Sequence, residues 1–167
     1  MRIAVHYDYA AAPELVAGLL ADRGFLLEAA QEAGATSCQI DVAPEPSGEF
    51  TLTARVAGLS SKLPPPVRAL APHGLEIRQA QVWEAPRQDG TRRATVAGEI
   101  VGAPIRITGH ASLAPTPGGA RLAFACEVKA DVPLLGQSIE QAATPAVLSY
   151  LAAQHAAAER RLAVPPA

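Results

Sequence analysis

A chain of 167 residues with a net charge of −2 and 49% hydrophobic residues can bury one domain-sized core and is too short for two of ordinary size. Alanine alone supplies 36 of the hydrophobic positions and aromatics make up only 4%, so the core must come mainly from Leu, Val, Ile and Ala. Fifteen prolines and thirteen glycines exclude an all-helical bundle, and the lack of a basic stripe argues against phosphate-driven nucleic-acid binding.

Residues 2–9 alternate, with Ile3, Val5, Tyr7 and Tyr9 on one face and Arg2, Ala4, His6 and Asp8 on the other. That period of two predicts a half-buried strand. Pro13 then suits the first turn of a helix carrying Leu15, Val16, Leu19 and Leu20. Asp22 is placed to cap a second short helix, which Gly34 ends. From there to about residue 132 the pattern is strand and turn. Thr36 to Val42 alternate, and a turn follows at Pro44–Gly48. Phe50, Leu52, Ala54 and Val56 then give the cleanest strand signal.

Residues 59–72 interrupt the sheet and read as a loop with one short helix over Pro66–Leu70. Strands resume over Leu75–Trp83, Arg92–Val101, Ile105–Leu113 and Arg121–Val132, joined by short turns that imply an antiparallel meander. Gly98 and Gly109 lie inside strands and predict bulges, kinks or close approach in a curved sheet. Leu134 to about Leu162 reads as a long helix with a stripe through Ile139, Ala143, Val147, Tyr150, Leu151, Ala158 and Leu162. Pro145 should kink it or end its first part near Thr144. The expectation is therefore a single α+β domain over residues 1–167. It has a curved antiparallel sheet of about seven strands, two short helices after the first strand, and a long C-terminal helix packed across the sheet.

This element order resembles the helix-grip superfamily, which includes START lipid-transfer domains, the major birch-pollen allergen and polyketide cyclases. The stretches VHYDYAAAPELVAGLL, IRQAQVWE and VPLLGQSIEQAATPAVLSYLAAQ are similar to an uncharacterised bacterial family within it. The resemblance implies an internal apolar cavity and supplies no catalytic set, because the superfamily shares a shape rather than a chemistry.

On this reading Tyr7, Tyr9, Phe50, Leu52, Leu75, Ile77, Trp83, Phe124 and Val128 face inward, and Val147, Tyr150 and Leu151 close the space from the helix. The candidate ligand-binding residues are Tyr7, Tyr9, Gln79, Gln81, Trp83, Phe124, Val147, Tyr150 and Leu151. Gln79 and Gln81 share the apolar face of their strand. Either they bond a polar group of a ligand, or a bulge or edge position turns them outward. The primary expectation is a hydrophobic or amphipathic small molecule held between sheet and helix, in a space of about 300 Å³ or more.

A cyclase- or hydratase-type enzyme acting in the same cavity is an alternative, with Tyr7 and Tyr9 as its best ionisable groups. A ligand-free interaction module is a second. His6 with Asp8, and His110 with Ser112, sit on polar strand faces and read as solvent-facing. His155 reads as a packed or surface histidine. No metal site, cofactor or catalytic residue is expected, and no feature marks an oligomer interface. Cys38 and Cys126 read as buried reduced thiols. No run approaches the ~20 apolar residues of a membrane span, and Asp8 and Glu14 interrupt the N-terminal stretch. A cytoplasmic protein without an integral membrane segment is expected.

Overall fold

A computed structural model describes residues 1–58, 65 and 76–164. The elements run β1 (Arg2–Tyr9), α1 (Pro13–Leu20), α2 (Arg23–Glu32), β2 (Ser37–Pro44), β3 (Phe50–Ala57), β4 (Glu76–Trp83), β5 (Arg92–Val101), β6 (Ile105–Thr116), β7 (Gly119–Ala130) and α3 (Gly136–Ala163). The seven strands form one antiparallel sheet in the order β1-β7-β6-β5-β4-β3-β2. Strands β2 to β7 follow the chain as a meander. Helices α1 and α2 carry the chain from β1 at one edge to β2 at the other. This is the α+β helix-grip architecture expected from the sequence. The loop helix expected at Pro66–Leu70, and Leu75, which was expected to face inward, lie outside the described residues.

Local chemistry sets the boundaries. Pro13 starts α1, where its missing N–H costs nothing. The Asp22 carboxylate accepts from the Phe25 N–H at 3.1 Å and caps α2, an arrangement that stabilises a helix by about 1 kcal/mol. Gly34 follows the end of α2 at φ 99°, a conformation that favours glycine.

Three boundaries differ from expectation. The β6–β7 hairpin extends into the Pro/Gly-rich stretch, leaving only Pro117 and Gly118 unpaired between Thr116 and Gly119. Helix α3 begins at Gly136 rather than Leu134. Leu134 takes a left-handed φ of 65°, and the Val132 carbonyl accepts from the N–H groups of Leu135 and Gly136 in a tight turn. Helix α3 also runs unbroken through Pro145. The proline deprives the Gln141 carbonyl of its N–H partner, at a place where both residues are exposed. The adjacent Thr144 hydroxyl donates to the Glu140 carbonyl at 2.8 Å.

The register leaves one face of the sheet apolar and the other polar, and the described pairings run without a bulge. One inward row runs Val5, Phe124, Ala111, Ala94, Trp83, Phe50. The next runs Ile3, Cys126, Gly109, Val96, Gln81, Leu52, Val42. Gly109 is demanded by crowding, since a Cβ there would lie 2.3 Å from the Ala125 carbonyl oxygen. Of the bulges, kinks or close approach expected at the two strand glycines, Gly109 shows close approach, while Gly98 has ordinary contacts and both stay in continuous register. Helix α3 packs chiefly on α2 and β7, with smaller contacts to α1 and β1. Its Ile139, Ala143, Ala157 and Ala158 are buried, whereas Val147, Tyr150 and Leu151 between them are only half-buried.

Candidate functional site between the sheet and helix α3

The strand period places Tyr7, Tyr9, Gln79, Gln81, Trp83 and Phe124 on the inward face. Val147, Tyr150 and Leu151 project from α3 above it. These nine residues separate into three environments.

At one end, Tyr7, Tyr9, Phe124 and Leu151 meet His155. The imidazole stacks on Tyr7 at 4.7 Å between centroids and meets Tyr9 edge-on at 4.8 Å. The space these residues enclose with α1, α2 and Ala158 is only about 10 Å³. That is room for about one water molecule and far below the size of a ligand. The two phenols are held above the ordinary tyrosine range by burial, and for Tyr9 by the Glu159 carboxylate as well. His155 Nδ1 is buried and has no hydrogen-bond partner among the described residues, while Nε2 lies 3.9 Å from Glu159.

Near the centre, Gln81 and Trp83 are packed tightly, at 4% and 0% exposure. The indole Nε1 donates to Gln81 Oε1 at 3.0 Å, and the Trp83 ring stacks on Phe50 at 5.8 Å. Gln81 is therefore inward, and no bulge or edge position turns it outward. Its carbonyl already serves the protein.

The third environment surrounds Gln79 and Tyr150. Gln79 is also inward. It sits between Ala54 on β3 and Gly98 on β5, the two smallest neighbours its row could offer. Its Nε2 reaches the Tyr150 hydroxyl at 3.5 Å, the long limit of a hydrogen bond. Burial, with the nearby Cys38 thiol, pushes the Tyr150 phenol up to about 12, so it stays protonated and can donate. Burial also raises the Cys38 thiol, with Arg23 opposing. Cys38, Ile77, Gln79, Val147 and Tyr150 all face the interior, yet each keeps partial exposure. This part of the sheet is therefore not sealed by the helix.

Three members of this interior, His155, Cys38 and Gly98, are not among the ligand-binding candidates read from the sequence. His155 lies four residues after Leu151, on the same helix face, and that spacing was the available signal. Cys38 and Gly98 read from the sequence as a buried thiol and an interior strand glycine, and neither points to a ligand in isolation. They become relevant only through the pairing that puts Gly98 beside Gln79 and the packing that brings Cys38 near Tyr150.

The outer face carries the described strand carboxylates. Asp8 takes a two-point ion pair from Arg121 at 2.6 and 2.8 Å, and Glu76 bridges Arg55 and Arg78. His6 and His110 are exposed there, as the sequence predicts. Broad hollows of about 580 and 690 Å³ also lie on this face, with Ala4, Thr95, His110 and Ala125 in both. They arise because short side chains leave a twisted sheet bare, and they remain open to solvent. Cys38 and Cys126 are free and half-buried. Among the described residues, no cluster of His, Cys, Asp or Glu is arranged to hold a metal ion, and no helix is long and apolar enough to cross a membrane.

Residues 4–162 match the family described as proteins of unknown function, DUF2505. The chain belongs to the DUF2505 family. Uncharacterised proteins of Mycobacterium tuberculosis and Mycobacterium bovis are 33% identical over 84 residues, which is 49% of this chain and 48% of theirs. The chain thus spans about half the length of the curated relatives it matches.

Solved structures share the fold of this DUF2505 chain at low identity. A protein from Thermus thermophilus aligns with a TM-score of 0.62 at 16% identity, covering 96% of this chain and 99% of its own. A STAR-related lipid transfer protein from Xanthomonas axonopodis gives 0.59 at 15%, over 94% and 85%. The Zhui aromatase/cyclase from a Streptomyces species gives 0.57 at 14%, over 97% and 95%. The chain therefore shares the helix-grip fold of these proteins.

Proposed function

We propose that this DUF2505 chain is a binding module for a hydrophobic or amphipathic small molecule, held between the inward face of β2–β5 and helix α3. One observation carries the reading. Ile77 on the sheet, two residues from Gln79, and Val147 on the helix, three residues from Tyr150, pack against the core yet both keep apolar surface exposed beside the Gln79–Tyr150 pair. Apolar surface left unburied inside a fold gains free energy when a ligand covers it, at about 25 cal/mol per Å². A pocket of this kind, apolar with few polar groups, suits small-molecule recognition. The Tyr7–Tyr9–His155 end serves as its closed wall, and Trp83, Gln81 and Phe124 as its packed floor. The fold neighbours named for lipid transfer and for aromatase/cyclase activity are compatible with apolar cargo. Binding rather than turnover is favoured because the described strand carboxylates lie on the opposite face. The two free thiols suit a reducing compartment, so we place the protein in the cytoplasm.

The test is native mass spectrometry of the purified protein, then denaturation and identification of whatever it releases. A reproducible apolar compound at near-stoichiometric amount is expected. A bare protein mass, together with no heat of binding for any ten-carbon amphiphile, would refute the reading.

A further inference from the structure

The turn from β7 into α3 displays leucines instead of burying them. Leu134 is wholly exposed and Leu135 is 57% exposed. Leu134 also holds a φ of 65°, and among the described residues no other non-glycine residue has a positive φ. A leucine in the left-handed region costs conformational energy that a glycine there avoids. Exposed apolar surface and a strained backbone thus meet at one residue, whose side chain offsets neither by packing within the fold. Strain that the fold itself does not use is a pointer to function.

The turn is pinned on both sides. The Val132 carbonyl accepts from the Leu135 and Gly136 N–H groups at 3.3 and 2.9 Å, and the Asp131 N–H donates to the Pro104 carbonyl at 2.9 Å. The Ala130 N–H donates to the Glu140 carboxylate at 3.0 Å. Gly136 approaches β7 so closely that a Cβ there would lie 2.6 Å from the Ala130 carbonyl oxygen. Leu134 and Leu135 therefore project from one end of the sheet as a fixed apolar tip. The bond to Pro104 sets the β5–β6 turn, with its uncharged Gly102, Ala103 and Pro104, beside the base of that tip.

Charge selects the partner. At the same end of the sheet, the outer-face row in register across β3 to β7 reads Arg55, Arg78, Glu99, Arg106, Lys129. Like charges stand directly opposite at Arg55–Arg78 and at Arg106–Lys129, which is destabilising. Glu76 pairs with Arg55 and Arg78, Glu99 with Arg78, and Asp131 with Lys129. Arg106 has no ion pair among the described residues. Four cations against three carboxylates make this row locally positive in a chain whose net charge is −2. A stable protein interface needs about 800 Å² per partner with matched shape, and a tip of two leucines offers far less. A bilayer takes in a protruding apolar tip without shape matching, and anionic headgroups complement the cations behind it. We infer that the Leu134–Leu135 tip inserts into the interface of an anionic phospholipid bilayer, with Arg106 and Lys129 at the headgroups. This docking is independent of the ligand-binding reading above.

The test is co-sedimentation of the full chain with vesicles of phosphatidylcholine and phosphatidylglycerol at about 3:1, against phosphatidylcholine alone. Binding to the mixed vesicles is expected to be tighter by at least about fivefold, and Arg106→Gln should weaken it by about fivefold. Leu134→Gly fits the left-handed conformation, so it should unfold at the same temperature as wild type or higher, yet bind the mixed vesicles more weakly. Combining it with Leu135→Ser should weaken binding by at least about tenfold. A wild-type protein that sediments with neither vesicle, or equally with both, overturns the inference. So does a double variant that binds as well as wild type. A dimer in analytical ultracentrifugation that Leu134→Gly dissociates overturns it as well, because a second copy of the chain then covers the tip.

Discussion

The indole Nε1 of Trp83 donates to the side-chain carbonyl of Gln81, two residues earlier on the same inward face of β4 and 3.0 Å away. Both residues are almost fully buried. This bond explains how a glutamine sits in an apolar row between Leu52 and Val96. The amide satisfies the one polar atom of the chain's single tryptophan, and the tryptophan offsets part of the cost of burying the amide.

A double-mutant cycle follows. Gln81→Leu strands the indole N–H and should cost about 1–3 kcal/mol. Trp83→Phe removes the donor but also shrinks a ring stacked on Phe50, so it should cost a similar amount. With the donor and its acceptor both gone, the double variant should lose less than the sum of the two. Urea denaturation followed by far-UV circular dichroism reads all four proteins. Strict additivity would mean that the bond has no role in stability.

His155 offers a second case of a polar group inside the fold. Its ring is held by Tyr7 and Tyr9, while Nδ1 has no described partner. His155→Phe keeps the aromatic contacts and removes the unsatisfied nitrogen, so it should be as stable as wild type or better. His155→Ala removes the contacts and enlarges the existing void, at a cost of about 2–3 kcal/mol. Denaturation midpoints compare them directly. If Phe proves as damaging as Ala, the imidazole nitrogen must be bonded, by a water in the 10 Å³ space.

The fold was legible because each strand has one apolar face. Alternation in Phe50, Leu52, Ala54 and Val56 fixes which side of β3 is buried, and the same pattern repeats in β1, β6 and β7. The element ends were less legible. Pro117 and Gly118 signal a turn, but hydrogen bonding across Pro115–Ala120 still extends the ladder around them. Leu134 looks helical by propensity, yet its left-handed conformation is set by the turn that precedes α3.

The site was legible only in part. Period two places Gln79 and Gln81 inward, while their polarity argues for turning them out. The conflict is resolved by neighbours distant in sequence: Trp83 satisfies one amide, and Ala54, Gly98 and Tyr150 make room for and contact the other. No local pattern encodes that difference.

The two strand glycines make a paired prediction. At Gly109 an added methyl would meet the Ala125 carbonyl oxygen at 2.3 Å and the Cys126 Cα at 2.6 Å. Backbone on the neighbouring strand cannot move aside cheaply, so Gly109→Ala should cost about 3 kcal/mol or prevent folding. Gly98→Ala meets only ordinary contacts and should change stability by less than about 1 kcal/mol. Thermal unfolding of the two variants checks this. Equal losses at both positions would show that the strands do not crowd at Gly109 as described.

Acid should weaken the protein through four carboxylates held below their usual range, Asp89 by hydrogen bonding from Thr91 within its own turn and three by contacts between elements. Hydrogen bonding lowers each of these three: Asp8 from Arg121, Glu76 from Arg55, and Glu140 from the Met1 amino group and then the Ala130 N–H at 3.0 Å. Because the folded state depresses these pKa values, their stabilisation is complete above the unfolded value, which is near pH ~4 for a carboxylate. It is lost as the pH falls through the lower folded values. Glu140 is the most informative, because its carboxylate ties α3 to the end of β7 and to the start of β1. Glu140→Gln should lower stability at about pH 7 and flatten the decline below about pH 4, so that the two proteins converge in acid. Urea denaturation at a series of pH values from about 7 down to about 3 measures the slope directly. A variant that declines as steeply as wild type would show that this link adds nothing to the acid sensitivity, leaving Asp8, Glu76 and Asp89 to account for it.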